Sequence, residues 1–378
     1  MRKSRKLFVE SLENRALLAG NVMVSVSGGD LIIRGDGSGN GVSVEQLDNG
    51  RYFVTGFSTS NNVNTTINGQ ANGRIVSGVT DDIDVSLGDG YDIFVMSNSA
   101  FRRQQLANQL SNNSAGAVPA SPEAASSNVH AVTTRVQGNL LIGMGNGNDG
   151  VGFGARVGSR NGHGDVIKGS IIANVGSDDT VNGNDRVISD YSEAFDDMQF
   201  ITGRGNDSVR VDHARVGDFL FADLGEGNDT FTSNEARGFH SQVYGRAGND
   251  RIDVTNYFFE EEVFLNGGDG NNNIDANGLS GNHINITTGN GTDNVNVQKS
   301  RSFDDYIVNT GAGNDFVRLN NTDVDDVLSV FLLDGDDTLR ISNSSAFHAH
   351  LDGGAGFDRF FNDGGNSTNS RKIVNFEA

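Results

Sequence analysis

The chain has 378 residues, with 49 acidic against 28 basic side chains, a formal net charge of −21, no cysteine, and only 2 prolines beside 51 glycines. That balance argues against nucleic acid as a partner, because phosphate binding needs clustered Lys and Arg. The lack of cysteine excludes a disulfide framework, a thiol nucleophile and a Cys-based metal site. Glycine without proline, and without a Gly-X-Y period, points to turn chemistry inside an ordered fold. No apolar run is long enough for a membrane-spanning helix.

Residues 1–20 open with four basic side chains among the first six, as the basic region of an export signal does, but Glu10, Glu13 and Arg15 interrupt the apolar run that should follow. The string Phe8-Val9-Glu10-Ser11-Leu12-Glu13-Asn14-Arg15-Ala16-Leu17-Leu18-Ala19 resembles the F-x-E-x-L-E-x-R-x-L-L-A segment of many planctomycete exported proteins, related to the LEPR-XLL N-terminal domain, with Asn14 where that form has proline. The resemblance implies an export or targeting segment over residues 1–20 and a secreted or cell-surface location. It implies no activity.

Residues 21–56 alternate apolar and polar side chains between the turn signals Gly28-Gly29 and Asp48-Asn49-Gly50. They read as β-strands that, with a first turn, form an N-terminal cap over 21–97. Residues 98–136 hold both prolines and read as a flexible insertion, with a short helix from Phe101 to Leu110 on its flank. The repeat proper occupies 137–364, and 365–378 reads as a C-terminal cap strand.

The repeat is a Gly-x-Gly-Asn-Asp turn. Aligned on its last position it recurs at Asp92, Asp149, Asp185, Asp207, Asp229, Asp250, Asn272, Asp293, Asp315, Asp337 and Asp358, and from Asp185 onward each step is 21 or 22 residues. Glycine stands two before the anchor in every copy, as in Gly205, Gly227 and Gly248, so that position needs a positive φ or a close backbone approach. An apolar residue stands two after it in every copy, and often four after, as in Val209 and Val211. Apolar positions also lie seven and nine before, as in Ala222 and Leu220. Each period is therefore strand, glycine turn, strand and a connecting arc, with no segment long enough for a helix. The fold class is all-β: a single-stranded parallel β-helix, or β-solenoid, of about 22 residues per turn. Parallel crossovers imply right-handed coiling. Eleven coils at ~4.8 Å make a rod of roughly 50 Å.

Stacking brings the anchors of successive coils together, and two readings of that row stand. Two carboxylates ~5 Å apart repel by about 1 kcal/mol in water and about 3 kcal/mol at an effective dielectric of 20. Calcium between neighbours is one relief, with Asp207, Asp229, Asp250, Asp293, Asp315, Asp337 and Asp358 as ligands. The strings Gly203-Arg-Gly-Asn-Asp207, Gly225-Glu-Gly-Asn-Asp229 and Gly311-Ala-Gly-Asn-Asp315 resemble the calcium-binding repeats of RTX (hemolysin-type) proteins, although those recur every nine residues. The other reading is a structural row, exposed and screened by solvent, beside a ladder of Asn206, Asn228, Asn249, Asn271 and Asn314. Asn272 interrupts the carboxylates.

Polysaccharide-cleaving enzymes need an acid and a base on one outer face. The outward positions Arg210, Thr232, Asp253, Asp275, Asn296, Arg318 and Arg340 make a mixed, solvated face, with Asp253 and Asp275 the closest approach to such a pair. His348 and His350 on one strand offer two metal ligands without a third. The run Glu260-Glu261-Glu262 reads as a solvated arc. No catalytic residue emerges. The expected function is a non-enzymatic secreted or cell-surface protein with a structural, adhesive or matrix-binding role, calcium its possible cofactor and surface polysaccharide or protein its partner. The alternative is a secreted polysaccharide-active lyase or hydrolase.

Overall fold

The computed structural model describes residues 20–48, 50–59, 64–98, 100–111, 134–157, 159–160, 166–167, 169–176 and 183–377. The export-like segment, save Gly20, and the proline-bearing part of the insertion lie outside the described residues. The chain is a β-solenoid of stacked parallel coils, about nine of them of the regular length of about 22 residues.

One coil illustrates the rest. The strand Phe219–Asp223 runs into the glycine turn at 224–229, and Thr230–Asn234 leaves it. The chain then bends at Glu235 and enters the next coil through Arg237–Tyr244. Leu220 lies in register between Met198 and Ser241, and Phe231 between Val209 and Ile252, all in parallel pairing. Strands before the turn join the short arc strands in a 21-stranded sheet, and strands after it form a 14-stranded sheet.

The period-2 pattern decides which side chains enter the rod. Val209, Val211, Ile252, Ile274, Val295, Val297, Val317 and Leu319 are buried from the post-turn sheet. Leu220, Val243, Val263, Leu265, Ile284 and Val330 meet them from the pre-turn sheet, and Ala236, Tyr257, Phe259 and Leu279 close the third side. Volumes compensate between columns: Ser241 stands where other coils have Leu or Val, and its hydroxyl meets that of the buried Tyr257.

The glycine two before the anchor is required twice over. Its φ lies between +115° and +159° in the ten coils from Gly90 to Gly356, leaving out Gly183. A Cβ on Gly227 would lie 1.4 Å from the carbonyl oxygen of Gly205 in the preceding coil. Side chains are thus excluded by the backbone of the neighbouring coil as well as by local torsion. A second left-handed corner follows each post-turn strand from Arg186–Asp190 to Thr338–Ser342, at Tyr191, His213, Glu235, Asn256, Gly278, Lys299, Asn321 and Asn343. Only some of these are Gly or Asn, so composition does not mark the column.

The ends depart from the regular coil. Asn21–Ser27 pairs antiparallel with Asp30–Arg34, and Arg51–Phe57 with both Gly41–Asp48 and Arg74–Ser77. These hairpins cover the first coil, as cap strands should. At the other end Ser367–Val374 adds in parallel to Ser345–Asp352. The insertion is not loop throughout. Ala100–Leu110 is a helix whose Leu106, Ala107 and Leu110 pack on the outward Ile93, Val95 and Ile188. It sits over Gly150 and Gly152, where a Cβ would come within 3.0 Å of Leu110. Arg103, fully buried, pairs with Glu45 at 2.8 Å and donates to the carbonyl of Ser97.

Gly227→Ala is expected to cost about 2 kcal/mol or more, since the clash is with backbone and φ is positive. Gly37→Ala, with open space around it, is the near-neutral control, and urea denaturation midpoints of the two variants check the contrast.

Candidate functional site

The anchor row is buried, not exposed. Asp92, Asp149, Asp185, Asp207, Asp229, Asp250, Asn272, Asp293, Asp315, Asp337 and Asp358 each retain 2% exposure or less. The structure brings all seven proposed ligands, Asp207, Asp229, Asp250, Asp293, Asp315, Asp337 and Asp358, into one internal line. The backbone N–H of each anchor donates to Oδ1 of the anchor one coil later: Asp207 to Asp229 at 2.7 Å, Asp229 to Asp250 at 2.8 Å, Asp315 to Asp337 at 2.7 Å. Asn272 keeps the pattern, accepting from Asp250 at 2.9 Å and donating to Asp293 at 2.6 Å.

The row extends at both ends with residues outside the repeat consensus. The N–H of Asn40 donates to Asp92 Oδ1 at 2.6 Å, and the Glu377 carboxylate accepts from the N–H of Asp358. Asn40 was legible in principle, since Val42 and Val44 follow it and Ile33 and Leu31 precede it at the consensus spacings. A missing glycine two before it, where Ser38 stands, hides the copy.

The second carboxylate oxygen decides the chemistry. Oδ2 of Asp92, Asp229, Asp250, Asp337 and Asp358 is buried with no hydrogen-bond partner, whereas the hydroxyls of Thr288 and Thr310 stand beside the carboxyls of Asp293 and Asp315 and hold their pKa values down. The two asparagines of the row show what surrounds that position. Nδ2 of Asn272 donates to the carbonyls of Gly268 and Gly270 at 2.8 and 3.1 Å. Nδ2 of Asn40 reaches the carbonyls of Asp36 and Ser38, again four and two residues back. The site beside Oδ2 is therefore lined by carbonyl oxygens and calls for a donor. A charged carboxylate there would face two lone pairs with nothing between them.

Calcium is not required by this line. Oδ1 is occupied by an N–H, so one coil offers Oδ2 and two carbonyls, about three oxygens where calcium takes about six to eight, and an ion would have to draw on two coils. A protonated carboxyl does fit, because its O–H supplies the bond that the asparagine amide supplies. Burial pushes the Asp229 carboxyl up to about 8, those of Asp92 and Asp337 to about 7, and those of Asp250 and Asp315 to about 6. Burial raises Asp293 and Asp358 as well, and the neighbouring carboxylates Asp36, Asp89, Asp269, Asp336, Asp352 and Glu377 add to the shifts along the row. The anchors are thus read as acids that stay neutral in mildly acidic solution, with Asp229 holding its proton to the highest pH.

The asparagine column runs beside this row with the opposite polarity. Asn206 donates its N–H back to Asn184 Oδ1 at 2.7 Å, Asn228 to Asn206 at 2.8 Å and Asn271 to Asn249 at 2.7 Å, and Asn314 accepts from Asp336 at 2.9 Å. Its bonds run from backbone to side chain, not from amide to amide.

Other sequence candidates come out as follows. Asp253 and Asp275 are register neighbours, but Arg251 reaches both, at 2.7 and 3.4 Å. His348 Nδ1 lies 2.6 Å from Ser370 Oγ, and His350 stands edge-on to Phe331. Two groups that the sequence reading missed lie on the corner before the pre-turn strand. Asp196, Asp197 and Asp218 form one and Asp304, Asp305 and Asp326 the other, each with its carboxylate oxygens within 4.8 Å, close enough to hold a metal ion. Their signal was an Asp-Asp pair followed 22 residues later by another Asp. Among the described residues no helix is long and apolar enough to cross a membrane. No family model, curated protein or solved structure matches the chain.

The sign of the pH dependence follows. The unfolded carboxyl titrates near 3.8 and the folded ones near 6 to 8. The row's contribution is therefore complete below pH ~4 and is lost as pH rises through 6 to 8. Melting temperature is expected to fall between pH 5 and pH 9, and a rise over that range would refute the neutral-acid assignment. Asp229→Asn should melt higher than the parent at pH 8, because Asn keeps Oδ1 and brings its own donor. Asp229→Ala leaves the N–H of Asp207 buried and unpaired and should cost about 1–3 kcal/mol.

Proposed function

We propose that the chain is a non-enzymatic repeat protein of the cell surface or exterior, with a structural, adhesive or matrix-binding role. The observation that carries this reading is where the repeated carboxylates and amides are spent. They are bonded to the backbone of neighbouring coils, which uses them for cohesion and not for chemistry. Asp253 and Asp275, the nearest approach to an acid–base pair, share the guanidinium of Arg251. The resemblance of residues 8–19 to exported proteins supports the location.

Calcium enters this reading at the outer corner, where Asp196, Asp197 and Asp218, and likewise Asp304, Asp305 and Asp326, gather three carboxylates. Calcium there would relieve a repulsion between carboxylates gathered at the surface.

Incubation of the full chain with acidic and neutral polysaccharides is expected to release no new reducing ends. Cleavage of any of them would overturn the reading in favour of a polysaccharide-active enzyme. Melting in millimolar calcium should exceed melting in EDTA, and the double variant Asp218→Asn/Asp326→Asn should lose the difference. A calcium effect unchanged in that variant would remove the ion from the corner.

A further inference from the structure

The arc side of the rod carries a groove that the preceding reading does not use. Two adjoining hollows, of about 370 and 340 Å³, share Arg215 and Arg237 as their common lining. The first is bounded by Tyr191, Glu193, His213 and Glu235, with Glu193 the register partner of Arg215 one coil earlier, and the second by Phe239, Phe258 and Glu260. Arg215 and Arg237 are register partners in adjacent coils. Both are exposed, and among the described residues neither side chain makes an ion pair or hydrogen bond.

Among the described residues Arg74, Arg318 and Arg371 likewise make no ion pair or hydrogen bond, but only Arg215 and Arg237 share a hollow. Acidic residues outnumber basic ones by 49 to 28, and Arg246, Arg251, Arg301 and Arg340 on neighbouring faces all hold carboxylates. Two guanidinium groups one coil apart, ~5 Å, repel by about 1 kcal/mol in water and about 3 kcal/mol at an effective dielectric of 20. An anionic group placed against both forks removes that repulsion and gains bidentate hydrogen bonds.

The flanks specify more than an anion. Tyr191 is 51% exposed and stacks on His213 with ring centroids 4.3 Å apart and planes 8° from parallel. Phe239 and Phe258, 37% and 39% exposed, stand at the other end. Aromatic faces at both ends suit the apolar faces of sugar rings, and Glu235 and Glu260 at the rim offer acceptors to hydroxyls. From the coil of Tyr191 to that of Phe258 is three coil steps, or ~14 Å. A pyranose chain advances by about one coil spacing per sugar.

We infer that this groove binds an acidic glycan laid along the rod axis, about one sugar per coil, with its anionic groups on Arg215 and Arg237 and its ring faces on Tyr191, Phe239 and Phe258. The inference rests on the matrix-binding reading and gives it a site and a ligand class. The net charge of −21 opposes the encounter at long range, but salt screens it beyond ~8 Å at physiological strength. Binding is therefore a contact effect of the groove, not a steering effect of the whole rod. The anionic group is a carboxylate or a sulfate ester, which present the same oxygens to a guanidinium.

The test is affinity electrophoresis and calorimetry of the full chain with polygalacturonate, dextran sulfate and unmodified dextran. Retention by an acidic polymer but not by dextran is expected, and the polymer retained identifies the group as carboxylate or sulfate. Arg215→Gln/Arg237→Gln should weaken binding at least tenfold with an unchanged circular dichroism spectrum and a melting temperature no lower than the parent's. Arg215→Lys/Arg237→Lys should retain part of the affinity, and Tyr191→Ala/Phe239→Ala should weaken it severalfold. Arg251→Gln, on another face, should bind as the parent does. Binding to none of the polymers, or binding that survives the double glutamine variant, overturns the groove. Release of reducing ends by a chain that binds through Arg215 and Arg237 would instead overturn the non-enzymatic reading and leave the groove standing.

Discussion

Everything in this rod depends on how closely one glycine turn lies on the next. The carbonyl oxygen of Gly205 occupies the space where a side chain on Gly227 would begin. That approach puts the N–H of each anchor within reach of the following anchor's carboxyl, as from Asp207 to Asp229. It also seals that carboxyl from water. Glycine, aspartate and the apolar residue two positions on are thus one constraint seen at three positions. The glycine permits contact, the aspartate bonds across it, and the valine or phenylalanine behind fills the rod.

Burial on these terms changes what an aspartate is. A carboxyl in an exposed turn is an anion, and a row of anions seeks a cation. A carboxyl enclosed among backbone carbonyls holds its proton to a higher pH, and while it does so it does not repel its neighbours. Asn272 shows the same equivalence from the amide side. It occupies the row without disturbing it, because an amide and a neutral acid offer the same acceptor on one atom and the same donor on the other. The acidic composition of the chain therefore overstates its charge in the folded state, and the charges that remain lie at the outer corner and on the arcs.

The architecture was legible because its signals are local and repeated. Glycine two before the anchor and an apolar residue two after it recur in every copy, and alternation then fixes which face is buried. The environment of the anchor was not legible, since what encloses Asp229 comes from residues 21 and 22 positions away in the adjoining coils. A single turn read alone looks solvated. The helix Ala100–Leu110 was read correctly as a helix, but its seat was not, because Gly150 and Gly152 beneath it look like two more glycines in a glycine-rich chain. The Asp triads and the arginine groove escaped notice because the arcs share no consensus. A pairing such as Arg215 with Arg237 exists only once the coils are set in register.

The opposed polarity of the two side-chain rows has a consequence for how such a rod can change over time. In the aspartate row the backbone donates forward to the next coil; in the asparagine row it donates backward. From Asn184 to Asn271 every coil therefore gives one bond and takes one in each direction. Duplicating or deleting one whole coil leaves both rows intact at the junction, whereas losing a few residues breaks both at once. Selection can thus lengthen or shorten this molecule in steps of one coil while the arcs diverge freely, and the reading frame of its evolution is the coil, not the residue.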